Sequence, residues 1–134
     1  MTIIKGNKKT GGEDMKVAVT SRGETLESRV DPMFGRCSWF VVADTESGKY
    51  RAVSNEQSFN AAQGAGIQAA EQASRQGVEA VITGHCGPKA FRTLSAAGIK
   101  VFSGTDGTVA EVLELFKGGK LKEATGADVE GHWL

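Results

Sequence analysis

The segment Val81-Ile82-Thr83-Gly84-His85-Cys86-Gly87-Pro88-Lys89-Ala90-Phe91 restricts the fold more than any other part of the chain. Val78 to Thr83 is almost continuously apolar, the pattern of a central strand buried on both faces of a parallel sheet. Gly84 ends the run, and a Gly-Pro step opens a new periodic stretch. Proline suits a helix's first turn, because its missing N–H would find no partner there anyway. The segment therefore reads as strand, tight connection and helix. A strand buried on both faces needs strands beside it and helices above and below, so an α/β sheet follows. A thiol, an imidazole and a helix amino terminus also meet at the strand's carboxyl end, where open α/β sheets bind ligands.

Lys16 to Thr20 is a short apolar strand, and Ser21 to Arg36 a long polar loop containing Asp31-Pro32-Met33-Phe34-Gly35. Trp39 to Ala43 forms a second strand. Glu46-Ser47-Gly48-Lys49 has turn composition, and Tyr50 to Val53 alternates as a third strand. Asn60 to Gln76 places Ala62, Ala65, Ala69 and Ala73 on one narrow helical face, suited to lying close on a sheet. Gly77 stops this helix. A second helix, Pro88 to Ala97, turns Phe91 and Leu94 inward and ends at Gly98. Ile99 to Phe102 is the fifth strand. The last helix opens on a capping box, Thr108-x-x-Glu111, carries Val109, Val112, Leu113 and Phe116, and closes at Gly118-Gly119. The succession β-β-β-α-β-α-β-α is an antiparallel meander followed by right-handed crossovers. It predicts a five-stranded mixed sheet, order 3-2-1-4-5, with helices on both faces. Residues 1–14 read as a disordered extension, 15–121 as the folded domain and 122–134 as a flexible tail.

Lys+Arg and Asp+Glu both count 16, so no net field favours nucleic acid or an anionic membrane. No apolar run reaches the roughly 18 residues of a spanning helix, and Met1 to Asp14 lacks the hydrophobic core of a secretion signal. A cytoplasmic protein is expected, without a structural Cys37–Cys86 disulfide, as a monomer or weak dimer. No nucleophile–base pairing for hydrolysis presents itself, and the Asp44 and Glu46 carboxylates fall at the far end of the sheet from the rim.

The predicted topology brings Cys37, at the start of strand 2, to the rim that carries His85 and Cys86 at the end of strand 4. These are soft and borderline ligands of the kind that take Fe–S clusters, Cu(I) or Zn. Adjacent residues in extended backbone point to opposite sides, however, and a free cysteine also behaves as a small buried hydrophobe. Both readings stay open. Gly64-x-Gly66-x-x-Ala69 fits the dinucleotide fingerprint literally, yet its glycines lie about ten residues beyond a strand and no acidic residue ends strand 4. Close helix–sheet packing, or helix-terminal amides offered to an anion, suits it better. Arg22, Arg29, Arg36, Lys89 and Arg92 would share the rim with Asp31 and Asp106, and His132-Trp133 could fold over it as a lid. A small-anion or nucleotide-binding regulatory module, or a redox-operon adaptor, are the alternatives that these residues leave.

In order along the chain, Met15-Lys16-Val17-Ala18-Val19, Val30-Asp31-Pro32-Met33-Phe34-Gly35-Arg36-Cys37, Gly64-Ala65-Gly66-Ile67-Gln68-Ala69-Ala70, Thr83-Gly84-His85-Cys86-Gly87-Pro88-Lys89-Ala90-Phe91 and Leu94-Ser95-Ala96-Ala97-Gly98-Ile99 resemble the dinitrogenase iron–molybdenum cofactor biosynthesis family. This family includes NifX-like and NafY-like carriers, the carboxyl-terminal domain of NifB-like proteins, and small stand-alone members of the orange-protein type. The resemblance covers about Met15 to Leu121. It implies a ribonuclease-H-like three-layer fold used without nuclease chemistry, and a carrier or scaffold that binds an Fe–S cluster or a Mo–Fe or Mo–Cu sulfide cluster. Metallocluster donor and acceptor proteins are the implied partners. Carried over residue by residue, the cofactor-binding positions are Phe34, Gly35, Arg36, Gly64, Gly66, Gly84, Gly87 and Lys89. Cys37, His85 and Cys86 are candidate metal ligands, with the two cysteines outside any family-wide ligand set.

Overall fold

The computed structural model describes residues 15–55 and 64–126. Its strands are β1 (Lys16–Ser21), β2 (Trp39–Asp44), β3 (Tyr50–Ser54), β4 (Ala80–Ile82) and β5 (Lys100–Phe102), and its helices α1 (Ala65–Arg75), α2 (Pro88–Ala96) and α3 (Val109–Lys117). They form one five-stranded sheet in the order β3-β2-β1-β4-β5. β2 runs antiparallel to both neighbours, while β4 pairs parallel with β1 and with β5. The mixed α/β sheet and its order are those expected from sequence. Expectations that fall on residues 1–14, 56–63 and 127–134, including the His132-Trp133 lid, lie outside the described residues; the helix expected over Asn60 to Gln76 begins instead at Ala65, because Gly64 turns into the left-handed region at φ +74° and caps it.

Alternation along the strands divides the interior in two. Ala18, Val42, Val81 and Val101 face α1 and α2 together with Phe40, Ala69, Ala73, Ala90 and Leu94. Val17, Val19, Val41, Ala80 and Ile82 face α3 through Val109 and Val112. The alanine face of α1 is buried at Ala65, Ala69, Ala70 and Ala73, so this helix rides close to the sheet. Thr108 and Glu111 form the capping box reciprocally: the Glu111 amide donates to Thr108 Oγ1 at 3.1 Å, and the Thr108 amide to Glu111 Oε1 at 2.9 Å.

β4 is shorter than the apolar run Val78–Thr83, because its ladder to each neighbour holds three residue pairs. Leu121 packs into the α3 side of the core, Glu123 bridges antiparallel to Phe102, and the Ala124 amide donates to Val101 O at 2.8 Å. These residues cover the outer edge of β5. No helix among the described residues is long and apolar enough to cross a membrane.

Candidate functional site

β1, β3, β4 and β5 run the same way, so the starts of all three helices lie toward one rim, at the carboxyl ends of these strands. The loop 31–37 is tied to that rim by backbone bonding. The His85 amide donates to Pro32 O at 2.6 Å, the Phe34 amide donates to His85 O at 3.1 Å, and Met33 and His85 form a parallel bridge. Asp31 Oδ1 accepts the Met33 amide at 3.1 Å and steadies the turn.

Four sequence-singled glycines sit in this junction for two different reasons. A Cβ on Gly84 would fall 2.7 Å from both Cα and O of Pro32. One on Gly35 would fall 3.0 Å from N and Cα of Gly66, and one on Gly66 would lie 3.3 Å from Ala90 Cβ. These three are places where backbones meet. Gly64 has open space around it but caps α1 at φ +74°, in the left-handed region that side chains rarely adopt. Gly87, in extended backbone, caps α2 and is followed by Pro88 at its first position. The Phe34–Arg36 loop, the Gly64–Gly66 start of α1 and the Gly84–Lys89 connection thus lie against one another.

The three helix starts differ in what occupies their amides. At α3 the Val109 amide donates to Ser28 O at 2.8 Å, Ala110 to Leu26 O at 2.9 Å, and Glu111 to its cap. That end is filled by the chain's own loop. Neither α1 nor α2 has a side-chain cap. Among the described residues the amides of Ala65, Gly66, Ile67, Lys89 and Ala90 have no acceptor. The two open starts touch through Gly66 and Ala90, with Gly35 laid across the first. Such paired amino termini present N–H groups and the positive ends of two helix dipoles to an anion.

Around them, Arg36 is half-buried while His85 and Lys89 are exposed. Arg29 is 3.0 Å from Asp106 in an exposed ion pair, and Arg22 lies near enough to Asp31 to favour its carboxylate. Partial burial nevertheless raises the Asp31 carboxyl above its usual range, against the opposing pull of the Met33 amide and Arg22.

The thiols lie elsewhere. Cys37 and Cys86 are 0 % and 1 % exposed and belong to the apolar cluster under α1 and α2, with no disulfide at either. His85, next to Cys86, faces out. Burial, reinforced by Asp31, pushes the Cys37 thiol far above its ordinary range and keeps it protonated. Among the described residues no three His, Cys, Asp or Glu side chains are grouped to hold a metal ion. Asn55, fully buried at the end of β3, donates to Cys37 O at 3.0 Å and lies 3.5 Å from its Sγ, with no partner for its Oδ1 among the described residues. Sequence reasoning missed Asn55, which carries no periodic signal. It also missed the Thr20–Thr83 hydroxyl pair at 2.9 Å, which the β1–β4 register places side by side.

Three likenesses to known proteins bear on this arrangement. The apo form of the orange protein from Desulfovibrio gigas is 39 % identical, with 86 % of this chain and 97 % of that one covered and a TM-score of 0.85. A NifB-like protein from Thermotoga is 38 % identical over 87 % of this chain and 99 % of its own, with a TM-score of 0.75. An uncharacterized protein of Methanocaldococcus jannaschii is 32 % identical over 98 residues, 72 % of this chain and 83 % of that one. Residues 15–119 match the family described as dinitrogenase iron–molybdenum cofactor, so the glycine junction, both open helix starts and the sheet that carries them fall within the match, and the chain belongs to that family.

Proposed function

We propose that the protein is a non-catalytic carrier or scaffold for a metal–sulfur cluster, either iron–sulfur or a molybdenum-containing cofactor precursor, passed between donor and acceptor proteins. Family membership supports a role in the biosynthesis or binding of the iron–molybdenum cofactor, and the likeness to the orange protein and to a NifB-like protein supports the same theme. The cluster is cargo. One observation carries the reading: two helix starts packed side by side, without a side-chain cap and with their first amides unclaimed among the described residues, beneath the Gly35 loop. Sulfide-bridged clusters are anionic, and amides at helix ends are fixed donors that bind anions without reorganising. Half-buried Arg36 and exposed Lys89 add positive charge, and the exposed His85 imidazole can donate or ligate. Phe34, fully buried, anchors the loop that holds Arg36.

The buried thiols fit this holding only if the core opens, since a metal takes thiolate and Cys37 is held as thiol. Retention by amides and cations is therefore the favoured mode. Anaerobic reconstitution with iron and sulfide, with and without molybdate and copper, tests it. A visible charge-transfer band with stoichiometric metal is expected in the parent, in Cys37→Ala and in Cys86→Ala. Charge reversal at Arg36 and Lys89 is expected to weaken retention about tenfold. Loss of the band in the cysteine variants would put sulfur in the ligand set, and no metal in the parent would refute the carrier reading. The same amides suit phosphate, so thermal stabilisation by nucleotide in a metal-free protein would move the assignment to a small-anion module.

A further inference from the structure

We infer that the edge of β3, unpaired among the described residues, is a docking strand for an extended acidic segment of a partner protein, at the end of the sheet opposite the glycine rim. The sheet has two edges, and residues 121–124 cover that of β5. β3 is the other. The Asp44 amide bonds to Lys49 O and the Asn55 amide to Ser38 O, which fixes Lys49, Arg51, Val53 and Asn55 as the residues bonded toward β2. Tyr50 and Ala52 therefore turn their N–H and C=O outward, where no acceptor or donor among the described residues meets them. Ser54 O accepts from Gln72 at 2.6 Å and ends the open stretch.

Charge at this edge selects the occupant. Lys16, Lys49 and Arg51 line a cavity of about 280 Å³ with Tyr50 and Asp44. None of the three cations is in an ion pair among the described residues; Arg51 donates to Gln76 Oε1 at 2.6 Å. Asp44, the cavity's one carboxylate, accepts the Glu46 and Ser47 amides at 2.8 and 3.1 Å and is attracted to Lys16 and Lys49, so one carboxylate stands among three cations. A local excess of positive charge remains in a chain whose formal net charge is zero. Lys49 and Arg51 share one face of β3, and Tyr50, 41 % exposed, takes the other. A strand laid beside β3 would meet cation, aromatic, cation in turn, so its complement alternates carboxylate with apolar residues. A second copy fits poorly. Antiparallel pairing about Ala52 would make the two Arg51 side chains diagonal neighbours on one face, where like charges repel.

Main-chain bonds plus charge define the interaction, so a generic peptide tests it. A short peptide alternating Glu and Val is titrated into isotopically labelled, metal-free protein, beside its Gln–Val analogue and a version with proline at alternate positions. Saturable amide shifts at Tyr50 and Ala52 are expected, about tenfold weaker for the Gln analogue and absent for the proline version. Ala52→Pro keeps the β2 ladder, since its N–H points outward, and should abolish binding. Lys49→Glu with Arg51→Glu should transfer the preference to a Lys–Val peptide. No saturable shift at about 1 mM overturns the inference. So do shifts confined to Gly64–Gly66 and Lys89, or a dimer dispersed by Ala52→Pro. Failure here leaves the cargo reading untouched, because the protein in this experiment carries no metal.

Discussion

Adding one methyl group at Gly84 tests whether the rim is built by backbone contact. The added carbon of Gly84→Ala would sit 2.7 Å from Cα and O of Pro32 and 3.1 Å from its carbonyl carbon. These are backbone atoms and cannot rotate away. Relief requires separating loop 31–37 from the end of β4, which stretches the His85–Pro32 and Phe34–His85 bonds. Overpacking of this kind costs about 1–3 kcal/mol, and weakening two backbone bonds worth about 1 kcal/mol each adds to it. The reduced freedom of the unfolded chain returns roughly 0.4–1 kcal/mol, leaving a net loss of about 3 kcal/mol. With a urea m-value of about 1.5 kcal/mol/M the midpoint should fall by about 2 M at unchanged m. Gly64→Ala meets nothing within 4 Å and bears only its φ of +74°, so it should lose about 1 kcal/mol. Equilibrium urea unfolding followed by tryptophan fluorescence and circular dichroism gives both values. A Gly84→Ala midpoint no lower than that of Gly64→Ala would refute the close-contact reasoning.

The thiols should be inert in the folded state: at pH 8 neither Cys37 nor Cys86 should react with a disulfide reagent faster than the protein unfolds, and both should react in denaturant. Asp44 is held below its usual range by the Ser47 and Glu46 amides, so its stabilisation is present above the unfolded value of about 3.9 and disappears as pH falls through the folded value. The melting-temperature deficit of Asp44→Asn should accordingly shrink on acidification. Asp31 has the opposite sign: its raised carboxyl makes the ionised form unfavourable, so Asp31→Asn should melt no lower than the parent at pH 7, and its relative advantage should vanish in acid. Thr108→Ala breaks the capping box and should cost about 1 kcal/mol, read as a lower urea midpoint.

The sheet was legible because each strand announces its environment. Continuous apolar runs marked β1 and β4, and turn residues separated β2 from β3; the right-handed crossover rule then left one arrangement of five strands. The convergence of loop 31–37 with residues 84–89 followed from that topology. The fate of neighbouring side chains did not. Whether His85 or Cys86 faces the core depends on the pairing of Met33 with His85, an isolated bridge with no periodicity to reveal it. The thiols could be read in sequence as rim ligands or as small buried hydrophobes, and in space they lie in the core. Glycines hid their roles in the same way. Gly64 and Gly66 are two residues apart and identical in letter, yet one serves φ and the other serves contact.

The helix starts show why good helix signals and good binding sites part company. By sequence, α3 has the strongest amino terminus of the three, with a full capping box, and the structure fills its next two amides with the Ser28 and Leu26 carbonyls. Nothing is left there for a ligand. α1 and α2 begin on Gly64 and Gly87, with no side-chain acceptor for their first amides among the described residues. Serine, threonine, aspartate or asparagine at such positions is worth about 1 kcal/mol over alanine but only a few tenths over the glycines present here, so each bare start forgoes little stability. Two omissions at adjacent helix ends, joined through Gly66 and Ala90, leave donors whose missing acceptor can come from an anionic guest. A side chain able to cap α1, as in Gly64→Asn, tolerates the left-handed conformation better than alanine does. It should stabilise the empty protein relative to Gly64→Ala while competing with the guest for the same amides. Tighter folding with weaker cluster retention in that one variant would tie the missing cap to function; unchanged retention would assign the bare start to packing alone.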